Sequence, residues 1–283
     1  MRHRQQIGLA LVLGALASGL PAAVTAQPKP KAGAKALDLA RLQAALESGD
    51  EKRALEALST IDGAGAAGKA AAPLVQGLLA RGANAPLLGR AIEVCGGLGV
   101  ESCSAPIAPY LRHRMPQVRR AAAKALIDTK GPVAVRALSA ALRSPDPQVR
   151  GIAASGLGSL RAHDALPDLF KALSLKVSEA ATSIGQLCKP EECEKFATLL
   201  GKQPFDVMTS GFDQILFRPT AEVPDDQKIR IVGRLRELGT KDAGNYLAEV
   251  ASRWPANGSK RVKQAIDGAV KALGGRASSE DDE

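Results

Sequence analysis

The stretch PQVRRAAAKAL at residues 116–126 returns as PQVRGIAASGL at residues 147–157, thirty-one residues further along the chain. The match extends without a gap over 108–126 and 139–157. A third copy ends at Leu187, and part of a fourth lies upstream, at 92–99. Because four copies share a period of about 31 residues, the sequence indicates a repeat protein.

Each copy contains two stretches with the apolar spacing of an α-helix. In the second stretch, Val118, Ala122, Ala125 and Leu126 follow one another at i, i+4, i+7 and i+8, which is one face of a helix. A turn such as SPDP at 144–147 separates the two stretches, because proline ends the preceding helix and suits the first turn of the next. One hairpin cannot bury its apolar face alone, so the pattern predicts stacked hairpins.

The composition also favours closely packed helices. Hydrophobic residues make up 45% of the 283 residues but aromatic residues only 3%, so small and aliphatic side chains must fill the core, unlike the β-branched and aromatic residues of sheets. The predicted fold class is all-α, a right-handed α-solenoid of about seven helical hairpins. The predicted hairpins are 37–61, 68–98, 104–129, 132–161, 165–189, 191–217 and 225–253, followed by a capping helix at 259–273.

Residues 116–173 resemble the bacterial HEAT-like repeats that are also named after phycobilisome lyases. The shared pattern is a charged or proline-containing turn, then V-R, small residues, L-G, and a pair leading into A-x-x-L. It is well met over 86–188 and weaker over 37–81 and 191–273. The resemblance implies a HEAT-repeat solenoid.

The same resemblance assigns a structural role to three charged residues. In that family an aspartate in the turn and an arginine in the second helix form a ladder between neighbouring repeats. Asp146, Arg119 and Arg150 occupy these positions here. The resemblance therefore implies that both arginines stabilise the repeats rather than bind a partner.

The two ends of the chain differ from the repeats. Residues 1–26 combine a basic start, a fourteen-residue apolar run and small residues before Gln27, which is typical of a cleaved signal peptide and too short for the roughly 20 residues of a membrane span. We expect an exported protein, periplasmic or secreted, with no transmembrane segment after cleavage. Residues 27–36 read as a flexible linker, 37–273 as the solenoid and 274–283 as a disordered acidic tail.

Four cysteines form two local pairs. Cys95 and Cys103 are eight residues apart and Cys188 and Cys193 five apart, with three repeats between the pairs. Stacked helices lie about 8–10 Å apart, so pairing across three repeats exceeds the limit of about 7 Å between bridged Cα atoms. We predict the two local disulfides, as expected in an exported protein. A metal site or redox pair is the alternative, although CKPEEC lacks C-x-x-C spacing.

The sequence contains no motif for catalysis. G-x-S-x-G, H-E-x-x-H and a phosphate-binding glycine loop are all missing from it. His113 and His163 fall in predicted turns, where a solvated side chain is expected. The sequence predicts a protein that is not an enzyme and that has no cofactor, no metal site and no catalytic residue.

Positive charge is concentrated in the middle of the chain. Residues 112–161 contain ten basic residues and only two acidic ones, Asp128 and Asp146. This run is either a solvated face with structural arginines or a surface for an anionic partner. The candidate partner-binding residues are Arg112, Arg114, Arg120, Lys124, Arg143 and Arg161.

We therefore predict a non-catalytic HEAT-repeat scaffold in the cell envelope that mediates protein–protein interaction, with an acidic protein as a candidate partner. The alternative is a basic module that binds a polyanion, either an envelope polysaccharide or nucleic acid. Nucleic acid is disfavoured because no aromatic residues are interleaved with the charges to stack on bases.

The phenylalanines leave a second question open. All five lie between residues 170 and 217. They form either a locally bulkier core or an apolar docking groove, for which 209–224 would be an inserted loop.

Overall fold

The computed structural model describes residues 37–280, with the side chains of its last helix described as far as residue 274. These residues form α-helices joined by short turns and four 3₁₀ segments. The helices are α1 Leu39–Glu47, α2 Glu51–Gly63, α3 Ala72–Arg81, α4 Ala85–Gly97, α5 Ser104–Ile107, α6 Pro116–Thr129, α7 Gly131–Ala141, α8 Pro147–Ser159, α9 Leu166–Ser174, α10 Glu179–Leu187, α11 Pro190–Ala197, α12 Phe205–Leu216, α13 Asp225–Leu238, α14 Lys241–Arg253 and α15 Lys260–Glu280.

Six pairs of consecutive helices form hairpins by direct contact, α1–α2, α3–α4, α5–α6, α7–α8, α9–α10 and α13–α14, and α15 packs on the last of them. The remaining hairpin is α11–α12, whose helices meet through the rings of Phe196 and Phe212. Second helices stack on second helices from α2 to α12, and first helices contact first helices from α1 to α7. The apolar residues of both layers form one continuous core. The predicted all-α solenoid of about seven hairpins is confirmed.

Glycines allow the second helices to approach one another closely. A Cβ atom at Gly96 of α4 would lie 2.6 Å from the Cβ of Ala125 on α6. At Gly156 of α8 it would lie 2.6 Å from a side-chain carbon of Ile127, and at Gly185 of α10 it would collide with the Gly211 carbonyl oxygen. The layer of second helices is thus packed at distances that even an alanine does not permit.

The ends of the array differ in part from the predicted bounds. Helix α15 extends to Glu280 rather than ending at residue 273, and it covers the first part of the predicted tail at 274–283. The remaining tail residues, the predicted signal peptide at 1–26 and the linker at 27–36 lie outside the described residues. Within the described part of the chain, no helix combines the length and apolarity needed to cross a membrane.

Both predicted disulfides are present. Cys95 at the end of α4 joins Cys103, with 5.8 Å between the Cα atoms, and Cys188 after α10 joins Cys193 of α11, with 5.1 Å. All four side chains are fully buried. Each bond closes a turn between consecutive hairpins, the first between hairpins two and three and the second between hairpins five and six.

Removal of one disulfide is expected to destabilise the fold by about 2–3 kcal/mol, because the cross-link limits the conformations of the unfolded chain. The test is urea unfolding of the double variant Cys188→Ala/Cys193→Ala beside the native protein. Alkylation of the native sequence in denaturant without reductant, followed by intact mass, is the control and should show no modified thiol. An unchanged unfolding free energy would contradict the expected contribution.

The phenylalanines belong mainly to the core. Phe196 and Phe212 are fully buried, with ring centroids 5.3 Å apart and an edge-to-face arrangement. Residues 205–216 are the helix α12, whose buried face includes Met208 and Ile215. Phe217, at 36% exposure, is the one phenylalanine of the five that is classed as exposed. The structure therefore favours the bulkier core over an inserted docking loop.

Candidate partner-binding site

A buried aspartate joins the third and fourth hairpins. Asp146 caps the N-terminus of α8 by accepting from the Gln148 backbone N–H at 3.0 Å. Its carboxylate also accepts from Arg119 at 3.0 Å and from Arg120 at 3.2 Å, although only 2% of its side chain is exposed. Two guanidinium groups of α6 are thus bound to the turn of the following hairpin.

These contacts determine how Asp146 titrates. Burial alone would raise the pKa of its carboxyl, but the hydrogen bonds from Arg120, Arg119 and the Gln148 N–H outweigh burial and hold that pKa below its ordinary value. The carboxylate is therefore charged at neutral pH and neutralises one of the two arginines.

The ladder implied by the family resemblance is present, but it has one complete rung. Arg119 also donates to the backbone carbonyls of residues 113 and 114 at 2.9 and 3.0 Å, so it ties the turn of its own hairpin to that of the next. Arg150 donates to the Ser144 carbonyl at 2.8 Å. Arg150 is the equivalent of Arg119 one repeat later, and the equivalent of Asp146 there is Val177. Arg150 therefore has no carboxylate at the position where Arg119 meets Asp146.

Arg120 and Lys124 lie on α6, away from the other candidate residues. Arg120 is engaged with Asp146 and only 38% of its side chain is exposed. Lys124, one turn later, is exposed. Since a glutamate at position 120 would face the Asp146 carboxylate, reversal of Arg120 would disturb the fold as well as the surface.

An apolar groove with a basic rim lies between the third and fourth hairpins. The first helix of the third hairpin is irregular because Pro109 lacks an N–H, so α5 is followed by a 3₁₀ segment at Ala108–Arg112. This segment and α7 enclose a space of about 950 Å³. We call it the arginine groove; it is lined by Ala108, Pro109, Leu111, Arg112, His113, Arg114, Arg119, Ala137, Ala140, Ala141, Arg143, Ser144 and Pro145.

The arginine groove carries charge of one sign. Four arginines line it, and no carboxylate is among its described lining residues. Arg112 and Arg114 are exposed, and no described carboxylate forms an ion pair with either of them. Arg143 pairs with Asp168 at 3.8 Å, but both side chains are exposed, at 58% and 40%, and such pairs contribute little. The rim is therefore available to an anionic partner.

Arg161 belongs to a neighbouring groove on the other side of α7. That space, of about 1130 Å³, is lined by Lys130, Arg136 and Arg161 but also by Asp164 and Asp168. Arg143 lines both grooves. The structure thus brings Arg112, Arg114 and Arg143 together at the arginine groove and Arg143 and Arg161 together at its neighbour, whereas Arg120 and Lys124 line neither groove. The basic run of the sequence is divided among several faces.

Sequence reasoning missed the alanine and proline floor of the arginine groove. Pro106 and Pro109, near the start of the predicted hairpin 104–129, were the available signal, since two prolines three residues apart disfavour a continuous helix. Among the described residues, no three His, Cys, Asp or Glu side chains come together as a metal site requires.

Comparison with known proteins identifies the repeats. A family model described as HEAT repeats matches residues 71–144 and 135–211. Among curated proteins, none matches the chain. The matched region includes both hairpins that enclose the arginine groove.

Solved structures with similar folds come from several sources. One is a chain from the complex of CpcE and CpcF of phycocyanin lyase from Nostoc sp. PCC7120, with 17% identity, 88% of this chain and 99% of that chain covered, and a TM-score of 0.43. An engineered protein has 16% identity and a TM-score of 0.49, and the match covers 83% of this chain and 68% of that chain. A designed armadillo repeat protein has 14% identity, coverage of 83% and 100%, and a TM-score of 0.42.

Proposed function

We propose that this chain, which is a HEAT-repeat protein, is a non-catalytic scaffold of the cell envelope that binds an acidic protein surface at the arginine groove. The observation that carries the proposal is a groove of about 950 Å³ with four lining arginines, an alanine-rich floor and no lining carboxylate among the described residues. A repeat solenoid uses such extended surfaces for binding.

The chemistry of the rim supports a protein ligand. Guanidinium groups donate two parallel hydrogen bonds to a carboxylate, which gives both affinity and orientation. The alanine and proline floor adds apolar area that a bound partner would cover, which would strengthen these bonds. Arg119 and Asp146 fix the turns that carry Arg114 and Arg143, so less ordering is required when a partner binds.

The envelope location is supported by two features of the chain. Its first residues have the pattern of a signal peptide. Its four cysteines form disulfides, which persist in oxidising compartments rather than in the cytosol.

A pair of charge-reversed baits tests the function. The first carries Arg112→Glu, Arg114→Glu and Arg143→Glu, and the matched control carries Lys52→Glu, Lys69→Glu and Lys271→Glu, which are exposed residues away from the groove. Both change the net charge equally. From an envelope extract, we expect the native protein and the control to retain the same protein partner and the groove variant to lose it.

Circular dichroism must first show that both variants are folded. Retention of the partner by the groove variant would contradict the proposal. Loss of only a polysaccharide or nucleic acid from the groove variant would favour the polyanion-binding alternative, and that binding should fall steeply with salt.

A further inference from the structure

Three arginines occupy the same place in three consecutive hairpins. Helices α4, α6 and α8 begin at Ala85, Pro116 and Pro147, at intervals of thirty-one residues. Arg81, Arg112 and Arg143 each stand four residues before these starts. In the second, third and fourth hairpins an arginine thus stands at or just after the end of the first helical stretch.

Hydrogen bonds between hairpins hold these three positions in a fixed relation. The Tyr110 hydroxyl, two residues before Arg112, donates to the Leu79 carbonyl at 2.6 Å, two residues before Arg81. The contacts of Arg119 fix the third turn to the fourth in the same way. Because stacked helices lie about 8–10 Å apart, the backbone positions of the three arginines are expected to repeat at about that spacing, and we call them the arginine row.

The row is bounded at both ends by acidic residues. Arg81 pairs with Glu47 at 3.8 Å, with about half of each side chain exposed. At the other end, Asp168 lies 3.8 Å from Arg143, and the next equivalent position is Ser174. Exposed pairs of this kind are weak, so the arginines remain available. A ligand with more acidic groups would meet Glu47 or Asp168, which limits the row to three positions.

We propose that Arg81, Arg112 and Arg143 bind an extended acidic polypeptide segment that carries a carboxylate at every third residue. In the polyproline II conformation a chain has three residues per turn and a rise of about 3.1 Å per residue. Side chains three apart therefore share one face and lie about 9 Å apart, which matches the row. The inference rests on the proposed function, because it specifies the ligand that crosses the arginine groove between Arg112 and Arg143.

The spacing favours a polypeptide over a nucleic acid. One strand of nucleic acid carries a charge about every 3.4 Å, so a row with a spacing of about 10 Å would neutralise about one phosphate in three. Among the described residues that line the arginine groove there is also no Phe, Tyr or Trp, the side chains that stack on bases.

Two synthetic peptides of the same composition test the proposal. One has three glutamates at every third residue of a proline- and alanine-rich segment, and the other has the three glutamates adjacent. Binding to the full chain is measured by fluorescence anisotropy at one low salt concentration. We expect the spaced peptide to bind at least about tenfold more tightly, which corresponds to about 1.4 kcal/mol.

Single variants test whether the preference for the spaced peptide depends on the arginine row. Arg81→Ala should reduce the preference for the spaced peptide to within about threefold of the adjacent one, since one of three matched contacts is lost. The control Arg41→Ala lies outside the row and should leave the preference intact. Circular dichroism confirms that each variant is folded.

Four outcomes would overturn the row. They are equal binding of the two peptides, an intact preference in Arg81→Ala, tighter binding of a helical peptide with glutamates seven apart, and tighter binding of polyphosphate than of the spaced peptide. If the two peptides bind equally but the charge-reversed groove variant still loses the protein partner, the proposed peptide-binding row is refuted and the proposed function stands. If neither peptide binds and the charge-reversed groove variant retains the protein partner, the proposed function is refuted as well.

Discussion

Replacement of Gly185 by alanine is expected to lower the free energy of unfolding by about 3 kcal/mol, because overpacking of a well-filled core typically costs about 1–3 kcal/mol and more where backbone must move. A Cβ atom at this position would collide with the Gly211 carbonyl oxygen and lie 2.9 Å from the Gln214 Cβ, both on α12. Neither neighbour is the flexible end of a side chain, so α10 and α12 must separate.

Gly233→Ala is the matched control. Gly233 lies inside α13, and a Cβ atom there would have no neighbour within 4 Å. Since alanine is the better helix former by about 0.5–1 kcal/mol, this variant should be slightly more stable than the native protein. Urea unfolding followed by circular dichroism measures both. A Gly185→Ala variant of unchanged stability would mean that α10 and α12 leave room for a Cβ atom at this position.

Asp146→Asn is expected to destabilise the protein by about 3 kcal/mol at neutral pH, since removal of one partner from a buried ion pair leaves the other without compensation. Asparagine still caps α8, so the loss reports the bonds to Arg119 and Arg120. The control is Asp50→Asn, at the N-cap of α2, where the carboxylate is about half exposed. We expect that variant to stay within about 0.5 kcal/mol of the native protein.

The effect of Asp146→Asn depends on pH in a definite direction. The pKa of the Asp146 carboxyl is lowered in the folded protein, whereas an unfolded aspartate has a pKa of about 3.9. The contribution of the carboxylate is therefore fully present above about pH 4 and is lost as the pH falls through the folded-state pKa. The stability gap between native and variant proteins should close in acid, as measured by urea unfolding at pH 7 and pH 3. A constant gap would refute the charge-based explanation.

The repeat period was sufficient to predict most of the fold. The match of Leu111 with Leu142 gives the spacing of the hairpins. The short separation of each cysteine pair predicted both disulfides. Each of these features depends on residues that are near neighbours along the chain or lie one repeat apart. The second helices of the third and fourth hairpins begin at Pro116 and Pro147, at the quoted motifs themselves.

The site was less predictable because it depends on contacts between hairpins. Arg119 and Arg120 are adjacent in sequence, and both reach Asp146, twenty-six or twenty-seven residues away. Only the packed turns show that Arg120 is engaged while Arg112 is free of ion pairs among the described residues. The sequence showed the charge of the run but not its division among faces.

The positions of the two disulfides affect how the array comes apart. In a linear array each hairpin is supported only by its neighbours, so terminal hairpins fray first and opening proceeds inward. The bonds Cys95–Cys103 and Cys188–Cys193 cross the boundaries on either side of hairpins three to five. Fraying from either end therefore meets a covalent cross-link before it reaches the arginine groove, so the proposed binding surface lies between the two cross-links.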